Sequence, residues 1–141
     1  MERKRSRRNK MRDIKTRQDI ETLLDDFYSV VMTDAEIGHH FDDLDLESHL
    51  PIIADFWEKV LFGNPVYFNN PLAIHQILHE KSPLLPEHFV RWVTVFSGSV
   101  DKLFAGETAK QAKQKAAAIG DSLSVRLNSA PTYLFQKRKT S

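Results

Sequence analysis

The hydrophobic side chains of this chain recur at intervals of three and four residues, in segments that proline and glycine separate. Such spacing places them on one side of an α-helix. The first segment follows Thr16, a residue type that commonly caps helices. Its apolar positions are Ile20, Leu23, Leu24, Phe27, Val30 and Val31. No alternating pattern of useful length is present, so the sequence predicts an all-α protein with five or six helices.

A second segment is apolar on nearly every side. It is predicted to begin near Ser48, with Pro51 in its first turn, and to end before Gly63. Only Asp55, Glu58 and Lys59 are left for solvent. We therefore expect this helix to lie between two buried surfaces, one of which could be something other than protein.

The remaining proline, glycine and capping residues predict three further helices. A short one starts at Asn70-Pro71 and stops before Ser82-Pro83, and the next runs from Pro86 to Gly106. Thr108 and Gln111 match a capping box for the last helix, whose apolar positions continue to Leu127.

Length and charge indicate one domain with basic and polar ends. The 141 residues include no cysteine, which excludes disulfides, thiolate metal sites and thioether-linked haem. Residues 1–12 carry seven Lys and Arg and one Glu, whereas residues 13–136 carry 10 basic and 18 acidic groups. We predict a basic tail over 1–12, a folded domain over 13–128 and a polar tail over 129–141. An acidic body argues against specific nucleic-acid binding.

The same sequence contains no secretory signal pattern and no apolar run long enough for a membrane span, so no membrane association is expected. The expected location is the cytoplasm.

The six histidines need sorting before any is given a chemical role. His39, His40 and His88 lie at segment junctions among polar neighbours, and surface positions are expected for them. His75 and His79 have an i, i+4 spacing that can hold a metal, but the glutamate of an HExxH motif is absent. From the pattern alone, His75 is a core histidine hydrogen-bonded to a backbone carbonyl, because it lies among leucines on a short helix.

Three other residues have polar groups on apolar helices. His49 lies at the start of the second segment and shares a face with Ile53 and Trp57, although a surface role at a helix start is the alternative. Tyr28 and Trp92 occupy apolar stripes, where aromatic residues usually belong to the core.

Four blocks of the sequence together resemble the third group of truncated haemoglobins. They are DFYSVVMTDAEIGHHF (26–41), HLPIIADFWEKVLFG (49–63), NPLAIHQILHE (70–80) and HFVRWVTVFSGSVDKLFAGETAKQAKQKAAAI (88–119). They follow the family's order over about residues 13–127. One departure is Asn69, where the family often has glycine. The resemblance implies a two-over-two helical sandwich around a noncovalently bound haem b.

The resemblance also implies roles for individual residues. It makes His75 the proximal iron ligand and Phe41 the ring packed against the porphyrin. His49, Ile53 and Trp57 would belong to the distal helix that faces the haem. Tyr28 and Trp92 would supply the other distal polar groups.

The function that the resemblance implies is binding of O2 and other diatomic ligands, NO and CO, at a histidine-ligated iron with a polar distal pocket. Two alternatives stay open. One is a haem enzyme, an NO dioxygenase or peroxidase-like protein with an unidentified reductase as partner. The other is a haem-free helical interaction module whose basic tail contacts acidic partners or nucleic acid.

Overall fold

The computed structural model describes residues 11–42, 44–67 and 70–140, with all their side chains except those of Ala73 and residues 129–140. All regular secondary structure in the described part is helical, and the helices are α1 (Arg17–Val31), α2 (Leu46–Phe62), α3 (Pro71–Lys81), α4 (Pro86–Leu103) and α5 (Glu107–Thr140). A short 3₁₀ turn, Gly38–Phe41, lies between α1 and α2. The predicted all-α class is confirmed.

Most helix ends agree with the residues that predicted them. Thr16 caps α1 with its side chain, which accepts a hydrogen bond from the Asp19 backbone at 3.1 Å. Gly63 ends α2 in the left-handed conformation, with a φ of 75°. The start of α2 is two residues earlier than predicted, so Pro51 lies in the second turn, not the first. The reason is Asp45, whose carbonyl oxygen accepts the His49 N–H at 3.1 Å and so starts the helix.

The predicted capping box of the last helix is wrong. The helix α5 is capped from a distance by Asp13, whose two carboxylate oxygens accept the N–H groups of Thr108 at 2.9 Å and Ala109 at 2.8 Å. Burial raises the pKa of Asp13, but the N–H donors of Thr108, Ala109 and Ile14 together hold it below its usual range. Asp13 therefore ties the start of the chain's folded part to the start of α5.

The helices pack as two crossed pairs. The helix α1 packs against α2, and α4 packs against α5; between the pairs, α1 contacts α4 and α2 contacts α5. The centre is filled by Phe27, Phe96 and a surrounding set of aliphatic side chains, all fully buried. Among the described helices, the short helix α3 packs mainly against α5.

Arg17 fastens the two helices of the first pair together. Its guanidinium donates to Asp55 at 2.7 Å, to Glu58 at 2.9 Å and to the Pro51 carbonyl oxygen at 3.2 Å. All three acceptors belong to α2. Because one side chain contacts two turns of α2, it fixes the rotation of that helix about its own axis.

The two expected tails are only partly described. Residues 1–10 lie outside the described residues, while Arg12 pairs with the buried carboxylate of Asp19. At the other end, α5 continues as a helix to Thr140. Asn69 also lies outside the described residues.

Candidate functional site

His75 lies one turn into α3 and has one nitrogen committed to the backbone. Its Nδ1 is 2.7 Å from the carbonyl oxygen of Pro71, four residues earlier. Because a carbonyl can only accept, the hydrogen is on Nδ1, and Nε2 carries a lone pair. Burial lowers the pKa of His75, and the hydrogen bond to Pro71 offsets only part of this effect. The ring is therefore neutral at pH 7, which is the form that binds a metal.

The helix that carries His75 exposes several large apolar side chains. Ile74, Ile77 and Leu78 are among the exposed hydrophobic residues, and Ile77 is 58% exposed. The helix α2 is also incompletely covered, because its only fully buried side chains are Ala54 and Trp57 although it is apolar on nearly every side. The described protein therefore leaves part of the apolar surface of α2 uncovered, as expected if something other than protein covers it.

A cleft of about 410 Å³ adjoins the start of α3. It lies between Phe56 of α2, Leu72 of α3 and the apolar face of α5 that contains Ile119 and Leu123. Its walls are mostly apolar, and it does not include His75. The structure thus places apolar space on the α5 side of the histidine-bearing helix.

Tyr28 is buried in the first pair of helices with a free hydroxyl. The side chain is 7% exposed and contacts Phe27 and Phe41 edge to face, with centroid distances of 4.8 and 5.8 Å. No hydrogen bond joins its hydroxyl to any residue that the structure describes. Burial raises the pKa of Tyr28 far above neutrality, so the phenol keeps its proton and remains a donor.

Trp57 and Trp92 lie on opposite sides of Phe96. Their rings stack on it at 4.8 and 5.7 Å, with interplanar angles of 14° and 17°. Within the described ranges, neither indole N–H has a hydrogen-bond acceptor. Ile53, one turn before Trp57, is half-buried against the same core. The stack therefore brings two of the predicted site residues together through a third aromatic ring.

His49 stands apart from this cluster. It is exposed in the first turn of α2, and its Nδ1 is 2.8 Å from the Asp45 carbonyl oxygen. As in His75, this bond leaves the lone pair on Nε2. Neither His49 nor His75 makes a described ring contact with Tyr28, Phe41, Trp57 or Trp92.

Two features of the structure were missed by the sequence analysis. His39, His40 and His88, expected on the surface, lie together between the 3₁₀ turn and α4, and His40 and His88 are half-buried. Arg91, one turn beyond His88, pairs with Asp34 at 2.7 Å. His40 and His88 lie 48 residues apart in the chain, and Asp34 and Arg91 lie 57 apart. No local sequence pattern relates residues at such separations.

The described structure is similar to the crystal structure of a group III truncated hemoglobin from Campylobacter jejuni, with a TM-score of 0.71. The two sequences are 26% identical, and the match covers 81% of this chain and 92% of that one. This chain has the truncated globin fold. The resemblance to the third group that the sequence showed is confirmed. No protein-family model and no curated protein matches the chain.

Two absences apply to the described residues of this truncated globin fold. None of their helices combines the length and the hydropathy that a membrane crossing needs. They also contain no cluster of three or more His, Asp or Glu side chains arranged around a metal ion. A haem iron needs only one such side chain from the protein.

Several residues of this fold suit the haem that the resemblance implies. His75 offers one neutral nitrogen with a free lone pair on a short helix. Large apolar side chains are exposed on the same helix, among them Ile74 and Ile77. Tyr28 carries a hydroxyl donor that no described residue uses. An apolar group with one metal centre needs residues of these kinds.

Proposed function

We propose that the protein binds haem b noncovalently through Nε2 of His75 and takes up O2, NO and CO. The observation that carries this proposal is the hydrogen bond from His75 Nδ1 to the Pro71 carbonyl oxygen, 2.7 Å long. It fixes both the tautomer and the direction of the ring, as second-shell acceptors do for metal-binding histidines. The structural match to a group III truncated hemoglobin supports the same conclusion.

When bound, haem supplies an iron with one position left open for a small ligand. The chain's own residues set the conditions around that position. The Pro71 carbonyl increases the basicity of His75 and holds the hydrogen on Nδ1, which leaves the lone pair on Nε2. Phe41, Ile53 and Trp57 provide apolar contacts that keep water away from the porphyrin.

The donors proposed for a bound diatomic ligand are Tyr28, Trp92 and His49. Tyr28 is protonated at every physiological pH, and an indole N–H is always a donor. Both groups are free of described partners, so a ligand would satisfy them at no cost to an existing hydrogen bond. His49 is exposed, and its Nε2 would have to reach the ligand from the first turn of α2.

Absorption spectroscopy of the purified protein tests the proposal. Hemin is added in slight excess, unbound hemin is removed on a desalting column, and spectra are taken before and after dithionite and CO. We expect a Soret band that shifts on reduction and again on CO binding. A haem-free interaction module would emerge colourless.

Two variants locate the ligand. His75→Leu should lower hemin affinity by more than the roughly 10- to 100-fold that loss of a second-shell partner costs, because the ligand itself is removed. His79→Gln is the matched control, because His79 is on the same helix and its Nδ1 only accepts the Leu84 N–H at 2.9 Å. If His75→Leu keeps the wild-type hemin affinity and spectra, His75 is not the ligand.

A further inference from the structure

Three histidines form a compact cluster at the junction of the 3₁₀ turn and α4. The ring centroids of His39 and His40 are 4.0 Å apart, and those of His40 and His88 are 4.9 Å apart. His39 and His40 belong to the 3₁₀ turn, whereas His88 lies in the first turn of α4. The cluster therefore connects two elements that are distant in the sequence.

The hydrogen bonds of His88 fix the direction of its bond to His40. Its Nδ1 accepts the backbone N–H of Leu85 at 3.1 Å, which helps to cap α4. The same atom lies 3.3 Å from Nε2 of His40. Since Nδ1 of His88 already serves as an acceptor, Nε2 of His40 is the donor between the two rings. His40 is therefore held, half-buried, between the rings of His39 and His88.

The surroundings of His40 also oppose a positive charge. Burial, followed by the charges of His39 and His88, lowers the pKa of His40 to about 4. A histidine with a lowered folded-state pKa favours the closed structure at neutral pH. That preference is lost progressively as the pH falls below the ordinary histidine value toward 4.

An ion pair holds the same segment at Asp34, and it stays charged at mildly acidic pH. Arg91 pairs with Asp34 at 2.7 Å and lies 4.0 Å from Glu36. The Arg91 guanidinium keeps the pKa of Asp34 below its usual range, so this pair persists at mildly acidic pH. The remaining charged neighbours, Asp42 and Glu87, are exposed. Acid would thus release the segment at the histidines only.

We propose that His39, His40 and His88 form a pH-sensitive latch that holds the Gly38–Phe41 turn against α4 and releases it when His40, half-buried between the other two rings, is protonated. Its effect reaches the pocket because Phe41 directly follows His40 and packs against Tyr28 at 5.8 Å. Opening the latch frees Phe41 from that contact. The latch belongs to the protein fold and operates with or without a cofactor.

Hydrogen exchange with mass spectrometry tests the latch in the full chain, in the presence of EDTA. The decisive variant is His40→Gln, because the Gln Nε2 amide stands in for the ring Nε2 as donor and cannot be protonated. Comparing the two proteins at the same pH cancels the intrinsic pH dependence of exchange. In peptides covering residues 36–44, we expect equal rates at pH 7.5 and at least about tenfold faster exchange in the wild type at pH 5.0.

A second variant and a control make the outcome unambiguous. His88→Ala removes the acceptor and should expose the turn at both pH values, whereas His79→Gln should behave as the wild type. Histidine NMR titration provides an independent measurement that needs no variant, and His40 should remain neutral at pH 5.5. Equal exchange of wild type and His40→Gln at pH 5.0, or normal titration of His40 with the turn still protected, overturns the proposal.

Discussion

Replacing Tyr28 by phenylalanine separates the hydroxyl's role in ligand binding from the ring's role in packing. The ring contacts with Phe27 and Phe41 are kept, and only the oxygen is lost. In the protein without a bound gas, the hydroxyl has no described partner, so the variant should be as stable as the wild type or more stable. The Tyr28 hydroxyl is not among the fully buried atoms that lack a partner in the described part of the chain, so any gain in stability should be small.

With O2 bound, the same change should remove one hydrogen bond to a ligand of charged character. Such bonds contribute about 1.5–3 kcal/mol. Since about 1.4 kcal/mol is tenfold in an equilibrium, O2 should dissociate about 10- to 150-fold faster. Stopped-flow replacement of O2 by CO measures the rate, and thermal unfolding of the haem-free protein measures stability.

Tyr67→Phe is the matched control. Tyr67 is also buried, and it packs against Phe56 at 5.3 Å on the other side of α2. Its loss of a hydroxyl should leave the O2 dissociation rate unchanged. A Tyr28→Phe rate within twofold of the wild type would refute the donor role. A large drop in its melting temperature would show that the hydroxyl pairs within the protein.

Three further changes test the site and the fold. Trp92→Phe keeps the stack on Phe96 but removes the indole N–H, and O2 dissociation should become about tenfold faster in the same stopped-flow assay. Asp13→Ala should lower the free energy of unfolding in urea by about 1–2 kcal/mol through the loss of the α5 cap; Asp13→Asn should lose less, and equal losses would count against the cap. Asp19 has its pKa lowered to about 2, because Arg12 and two backbone N–H donors outweigh burial. Its lowered pKa contributes stability that is present above pH 4 and lost as the pH falls toward 2. The contribution is at most about 2 kcal/mol, because Arg12 is exposed. Urea unfolding at pH 4.5 and 2.5 should show this loss in the wild type and not in Asp19→Asn.

The sequence was sufficient for features that depend on local spacing. The apolar stripe after Thr16 predicted α1, and Asn70-Pro71 predicted the start of α3, because periodicity and capping act within one or two turns. The burial of Tyr28 also follows from its position in that stripe. The order of the motifs indicated the globin fold, which the structural match confirms.

Features that depend on tertiary contacts could not be predicted in this way. The capping box at Thr108 is a valid local signal, but the carboxylate of Asp13 binds the same N–H groups from 95 residues away. The contact of His40 with His88 spans 48 residues, so each histidine looks like a surface residue in its own segment. The roles proposed for the seven pocket residues rest on the resemblance and stay predictions until they are measured.

The weak attachment of α3 has a consequence for the life of the protein in a cell. Because α3 packs mainly against one neighbour and Ile77 is more than half exposed, this helix opens locally at a smaller free-energy cost than the helix pairs do. Any group that binds it adds to its stability by mass action. Proteases should therefore cut newly made chains first in this helix, and the amount of intact protein should follow the supply of the prosthetic group during synthesis.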